Sequence, residues 1–281
     1  MDDTMKTYAL ASTTFREIVR RPLFWLIAAI AAGMLLLSCF MPYFTFGEDL
    51  KMLKDQGLVA ITISALALAL FAASVSIAEE IDGKTAITLL SKPMSRRSFI
   101  IGKYLGIMAG TAALFVLLSA VFAGCIVYKV GYEAKEGSQE SPAIPVRLAE
   151  LGSMAPGIVL AYMQVAVIAA FAVAFSTRLP VHWTVSACLA IYLLGNLSDM
   201  LVRFSEQDGG KSAAVQAIGF MAKVFNIVLP SLSLFNIGAA ISTNQPVPWV
   251  AYVLPAFGYC ALCVGMALAL ALLMFEDRDL A

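Results

Sequence analysis

The chain has 281 residues, of which 60% are hydrophobic and 14% are charged, and its formal net charge is zero. Soluble domains average about 45–50% apolar and about 25% charged residues, so this composition is typical of an integral membrane protein. The neutral balance excludes the basic excess that marks nucleic-acid binding, and it gives no indication of an acidic partner.

The first predicted element is an amphipathic helix over 7–21. Apolar residues recur there at helical spacing, and a basic face lies opposite them. Pro22 ends the helix, because the residue before a proline is pushed away from helical geometry. We interpret it as an interfacial helix on the inner membrane surface, the alternative being a positive flank that only anchors topology. The residues assigned to its contacts are Phe15, Arg16, Arg20 and Arg21.

Six long apolar runs follow. A helix needs about 20 apolar residues to cross a hydrocarbon core of about 30 Å, and all six runs are near that length. Backbone groups inside lipid must bond internally, so helices are expected, and the alternation of a β-barrel strand is absent. We therefore predict an all-α integral membrane protein that forms one domain over 1–281. The predicted spans cover about 23–41, 58–78, 104–127, 156–177, 183–200 and 250–275, with outer loops at 42–57 and 129–155.

The basic residues predict the orientation. With both termini inside, the inner segments carry 11 Lys and Arg and the outer segments carry 8. Because cytoplasmic segments are enriched in these residues, we predict a multi-pass protein of the cell (inner) membrane with both termini cytoplasmic.

The segment 213–240 leaves two interpretations open. It is fairly apolar, but Lys223, Asn226 and Pro230 interrupt it. A seventh span would move the C-terminus outside. We favour an outer-face or re-entrant segment, since Lys223 and Asn226 would be costly if they faced lipid.

A charged segment over 79–97 separates the second and third predicted spans. Its acidic residues at 79–82 favour the beginning of a helix, where the helix dipole is positive. Apolar residues at 86–90 give a narrow apolar face, and Pro93 ends the helix. The sequence predicts a short helix exposed to the cytoplasm, the alternative being a topogenic loop whose charges only fix orientation.

Known catalytic and metal motifs are missing from the sequence. His182 is the only histidine, and neither HExxH nor GxSxG occurs. Cys260 and Cys263 form a CxxC, which we interpret as two small packing residues one turn apart, the alternative being a metal or redox pair. Residues 83–85 match the end of a phosphate-binding loop, but Ala78 stands where that loop needs a glycine. We expect no enzymatic activity, no metal and no cofactor on this chain.

Two uncharged polar residues within the spans, Gln164 and Asn196, are candidates for a functional role. They would either line a path or bond helices together, and we favour the second interpretation.

The charged segment and the beginning of the third span carry a family resemblance. The residues concerned are Lys84-Thr85-Ala86-Ile87-Thr88-Leu89-Leu90-Ser91-Lys92-Pro93, then Ser95-Arg96, then Gly102-Lys103-Tyr104-Leu105-Gly106. This pattern resembles the inner loop of permease subunits of type 2 ATP-binding cassette (ABC) transporters. The resemblance extends over nearly the whole chain, with a weaker match at 229–236.

The resemblance implies a coupling helix that sits in a groove of a separate ATPase subunit, with the N-terminal helix as a second contact. It assigns ATPase coupling to Glu79, Glu80, Asp82, Lys84, Thr85, Leu89, Leu90, Lys92, Pro93 and Arg96. ATP and Mg²⁺ would be bound by the partner subunit. A second permease copy, as a homodimer, or a related permease would complete the path.

These observations lead to an expected function and its alternatives. We expect a permease subunit that lies in the lipid bilayer and works in export. A membrane scaffold or assembly factor that transports nothing is the alternative. A membrane-embedded enzyme is disfavoured, because the chain has a single His and no paired carboxylates within the spans.

Overall fold

The structure, a computed structural model, describes residues 3–40, 49–82, 95–136, 144–207, 213–243, 245 and 247–276. Throughout these ranges the regular structure is helical, and no strand occurs in them. The elements in chain order are α1 (Asp3–Arg20), α2 (Pro22–Phe40), α3 (Asp49–Asp82), α4 (Arg96–Glu136), α5 (Ile144–Ser176), α6 (Val181–Gln207), α7 (Ala213–Val228), a 3-10 helix (Leu232–Phe235), α8 (Gly238–Ser242), a π-helical turn (Trp249–Val253) and α9 (Leu254–Glu276).

Six of the described helices are long and apolar enough to cross a membrane: α2, α3, α4, α5, α6 and α9. The prediction of an all-α membrane protein with six such helices is therefore confirmed. The most apolar 18-residue stretches of these helices have mean hydropathies between 1.6 and 2.4. The lowest value belongs to α6, which contains the shortest predicted run.

The predicted loops at 42–57 and 129–155 were too long. Helix α3 already begins at Asp49, α4 continues to Glu136, and α5 begins at Ile144. The apolar run missed the beginning of α3 because its buried residues alternate with charged ones in the sequence. Leu53, for example, is completely buried although charged residues surround it in the sequence.

Helix α5 is the centre of the bundle. In its most apolar stretch 67% of the residues are buried, against 18% in α6 and 22% in α9, whose apolar side chains face outward. Alanines at 161, 166, 169, 170, 172 and 174 are all buried along α5. Small side chains allow neighbouring helices to approach closely in a membrane, where apolar burial alone gives little driving force.

The segment 213–240 does not form a seventh helix of span length. Helix α7 ends at Val228, and the chain changes direction at Pro230 before the short 3-10 helix. Leu232 then packs against Gly195 in the middle of α6, so the chain has folded back along α6 into the bundle. Lys223 is exposed and Asn226 is half-buried. We call residues 213–243 the re-entrant segment because they fold back along α6, and their position relative to the membrane stays a prediction.

The bundle has two ends, which we name by the termini of α3. At the near end α3 finishes and α4 begins, on either side of residues 83–94; α5 and α9 also finish there, where Arg178 Nε donates to Met274 O at 2.8 Å. At the far end α3 and α5 begin, and Lys54 of α3 forms an ion pair with Glu150 of α5, 2.5 Å between Nζ and Oε2.

Candidate functional site

The predicted coupling segment lies largely outside the described residues. This holds for Lys84, Thr85, Leu89, Leu90, Lys92 and Pro93. Glu79, Glu80 and Asp82 belong to the last turns of α3, whose backbone alone is described there. The described neighbours of this segment are therefore the end of α3 and the beginning of α4.

Helix α4 begins with a side-chain cap. Ser95 precedes the helix, and its Oγ accepts the backbone N–H of Ser98 at 3.2 Å. This is the N-cap arrangement, in which a serine oxygen satisfies one of the backbone donors left free at a helix start. The cap fixes where the chain leaving 83–94 becomes helical.

The first turn of α4 packs on the last turn of α9. The Phe99 and Phe275 rings are stacked, with centroids 5.8 Å apart and 16° between their planes. The exposed Arg96 places its guanidinium carbon 5.9 Å from the centre of the Phe275 ring, a cation–π arrangement. Arg96, a predicted coupling residue, is thus in contact with the C-terminal span.

Helix α1 lies lengthwise on the near-end half of α4. Gly102, Gly106 and Gly110 are one helical turn apart on α4 and form a stripe that we call the glycine stripe. An added Cβ on these glycines would lie 3.0 Å from Leu10, 2.6 Å from Thr14 and 3.0 Å from Ile18, respectively. The two helices run in the same direction, and their backbones can approach this closely only because the stripe has no side chains.

Three of the four assigned residues lie on α1, and Arg21 directly follows it, because the helix ends at Arg20 rather than at 21 as predicted. Phe15 is half-buried, whereas Arg16 and Arg20 are exposed. Arg21 donates to Glu17, with 2.5 Å between Nη2 and Oε1. The membrane-surface location of α1 stays a prediction, and so does its contact with an ATPase.

Lys103 has a different environment from the one its sequence position suggested. Lys103 stands directly before the third predicted span, at 104–127, where an exposed basic residue is expected, but only 1% of its surface is exposed. Its Nζ donates to Ser76 Oγ on α3 at 2.9 Å. Lys103 therefore ties α3 to α4 inside the near end of the bundle.

A cleft opens between α3, α5, α6 and the re-entrant segment, nearer the far end. Its cavity volume is about 50 Å³, and the cleft opens to the surface of the bundle. This volume is well below the roughly 300–1,000 Å³ of pockets for drug-sized ligands, so only a small ligand fits. Its lining residues are Asp55, Leu58, Val59, Thr62, Gly157, Ala161, Gln164, Tyr192, Phe235, Asn236, Ile237 and Gly238.

The two polar residues singled out within the spans are brought together beside this cleft. Gln164 Nε2 donates to Asn196 Oδ1 at 2.9 Å and to Leu232 O at 3.4 Å. Asn196 Nδ2 in turn donates to Tyr192 O at 2.8 Å. Gln164 lines the cleft, and Asn196 bonds α6 to α5. Both residues therefore bond helices together, the role that the sequence favoured, and a transport path lined by either of them stays a prediction.

A chain of contacts joins the glycine stripe to the cleft. Tyr104, between two glycines of the stripe, donates its hydroxyl to Ala166 O of α5 at 3.2 Å. Ala166 is two residues from Gln164 on the same helix. Movement of the beginning of α4 would therefore act on the segment of α5 that lines the cleft.

Sequence reasoning missed Asp55 and Asn236. Asp55 fell in the predicted loop 42–57, and Asn236 was only part of the weaker family match at 229–236. The signal that would have found Asp55 is the apolar face of its own helix turn, Leu53 and Leu58, which are both buried.

The cysteines pack between helices. Cys260 and Cys263 are buried on α9, where Cys260 Sγ donates to Met163 O at 3.6 Å. Cys39 and Cys125 are buried where α2 meets α4, and Cys39 Sγ lies 3.7 Å from Cys125 O. In the ranges that the structure describes, no group of three or more His, Cys, Asp and Glu is arranged to hold a metal ion.

No protein-family model matches this chain, and no match was found among the curated proteins.

Proposed function

We propose that this chain is the permease subunit of an ABC exporter, driven by a separate ATP-binding subunit that engages the segment 79–96. The observation that carries the proposal is the lengthwise packing of α1 on the glycine stripe of α4. This contact joins α1, the second ATPase contact that the family resemblance implies, to the helix that begins directly after the coupling segment, so that the two would move as one body.

The near-end contacts support a mechanical role for α4. Its first turn is capped by Ser95 and packs on Phe275 of α9. A hydrogen bond from Lys103 joins α4 to α3, and α1 packs on the glycine stripe of α4. A displacement of the chain at 83–94 would therefore reach α1, α3 and α9 through α4, since packed interiors transmit strain rather than absorb it.

In the proposed mechanism, ATP binding and hydrolysis in the partner subunit move the coupling segment, and α4 passes the movement to α5 through Tyr104. Access of a substrate to the cleft beside Gln164 then changes. Two permease halves, identical or related, form the complete path, with both termini of this chain in the cytoplasm. In this scheme the chain binds the substrate, transmits the movement of the partner and gates the path, while the partner holds ATP and Mg²⁺.

The first test is gentle detergent purification of the tagged protein from its native host, followed by identification of the proteins that co-purify. We expect an ATP-binding cassette subunit at about one-to-one stoichiometry. Reconstituted together in liposomes, the two should hydrolyse ATP faster than the ATPase alone.

A triple variant, Glu79→Ala, Glu80→Ala and Arg96→Ala, sharpens this test. Ion pairs at an interface accessible to solvent contribute roughly 0.2–1 kcal/mol each, so the three substitutions together should weaken ATPase recruitment about tenfold. Lys51→Ala is the control, because Lys51 is an exposed charged residue at the far end. A folded preparation without any ATPase, or a triple variant that recruits it normally, contradicts the proposal and favours the scaffold alternative.

A further inference from the structure

The cleft has a definite hydrogen-bonding character, which the Gln164 network sets. Both amide hydrogens of Gln164 are used, one by Asn196 Oδ1 and one by Leu232 O. The side-chain carbonyl oxygen of Gln164 is therefore the atom that can accept a hydrogen bond from a ligand in the cleft. Since Gln164 is 4% exposed and held from two sides, its orientation is fixed before any ligand enters.

A second acceptor lies on α3. Thr62 uses its hydroxyl proton in a bond to Leu58 O at 2.7 Å, which leaves the lone pairs of its oxygen for a ligand. Thr62 and Gln164 lie on facing helices that both line the cleft. The wall between them is apolar and includes Leu58 and Ala161.

The charge of the cleft is negative. Asp55 is the one charged residue among the described residues that line it. The neighbouring lysine, Lys54, does not neutralise Asp55, because its side chain is buried on another side of α3 and pairs with Glu150 at 2.5 Å. One carboxylate oxygen of Asp55 lies close to Gly238, where an added Cβ would be only 2.6 Å away. Gly238 thus leaves room for the carboxylate at the edge of the cleft.

We propose that the cleft binds a small organic cation with several N–H donors, such as a primary ammonium compound. Asp55 supplies the opposite charge, and the oxygens of Thr62 and Gln164 accept hydrogen bonds from the cation. Charge-assisted hydrogen bonds of this type are the strong ones. The apolar wall accepts a short alkyl chain. If the chain is a permease as proposed, such cations are its substrate class, and that last step rests on the proposed function.

The test is calorimetric titration of the purified protein, in lipid nanodiscs, with n-butylammonium. Butyltrimethylammonium, which has the charge but no N–H donor, and butyrate, which has the opposite charge, serve as comparison ligands. We expect n-butylammonium to bind at least about tenfold more tightly than either, since each charge-assisted bond lost costs roughly that factor.

Asp55→Asn should weaken n-butylammonium binding about tenfold, because it removes the charge and keeps the shape. It should fold normally, since Asp55 is exposed. Glu17→Gln is the matched control, a carboxylate lost at the near end, and should bind as the unmodified protein does. Equal binding of butyrate, or unchanged binding by Asp55→Asn, overturns the cation proposal.

The two proposals can fail separately. Selective n-butylammonium binding by a protein that recruits no ATPase supports the cation site and contradicts the permease function. An ATPase-bound protein that does not distinguish the three ligands contradicts the cation site and leaves the permease proposal in place.

Discussion

Substitution of Gly106 by alanine should detach α1 from α4. The added Cβ would lie 2.6 Å from Thr14 Cβ and 2.8 Å from the backbone oxygen of Ala11, where ordinary contact begins at 3.4 Å. A backbone oxygen cannot rotate away, so α1 must retreat by about 0.6 Å or more to clear Ala11 O. Overpacking of this type costs about 1–3 kcal/mol. The loss falls on a single helix contact, so α1 should open before the bundle does.

Gly124→Ala is the control on the same helix, because a Cβ at Gly124 meets no atom within 4 Å. Both substitutions change the intrinsic helix preference equally, so the difference between them isolates the clash. The assay is hydrogen–deuterium exchange of the detergent-purified proteins, followed at residues 3–20. We expect faster exchange in α1 for Gly106→Ala than for Gly124→Ala. Identical exchange in the two variants would refute the close-packing explanation of the glycine stripe.

Two further predictions concern stability. Glu150→Gln should lower the free energy of unfolding by about 1–3 kcal/mol, because it removes one ionic partner of the buried Lys54 ammonium. Adding Lys54→Met should restore most of the thermal stability, and a double variant as unstable as Glu150→Gln alone would contradict this. Gly57→Ala should cost about 1–3 kcal/mol, since its Cβ would clash with the buried Phe122 ring, and Phe122→Leu should restore stability in a thermal unfolding assay. A double variant without this rescue would show that the clash is not with that ring.

The sequence predicted the number and kind of the long helices because hydropathy alone decides them. An apolar run of membrane length must be helical, since its backbone groups have no water to bond. Hydropathy did not predict where the helices begin and end. The second turns of α3 and α5 carry Lys54 and Glu150. Taken separately, each charged residue indicates a loop, and only as an ion pair are they compatible with burial.

The cleft could not be predicted for a similar reason. Its lining comes from α3, α5, α6 and the re-entrant segment, and no local pattern joins Asp55 to Gln164 or Asn236. Gln164 and Asn196 were singled out because a polar side chain within a span needs a partner. That principle predicts that each of the two side chains has a hydrogen-bond partner. One of the partners of Gln164, Leu232 O, comes from the re-entrant segment, where Leu232 packs against Gly195.

The burial of lysines bears on the predicted orientation. Lys103 was counted among the inner basic residues, and Lys54 and Lys129 among the outer ones, yet all three are at least 97% buried. Leaving them out changes the balance from 11 against 8 to ten against six, so the bias towards cytoplasmic termini becomes stronger. A reporter fused to the C-terminus should therefore be active only in the form that functions in the cytoplasm, and activity of an exported reporter there would overturn both the orientation and the proposed access of an ATPase to residues 79–96.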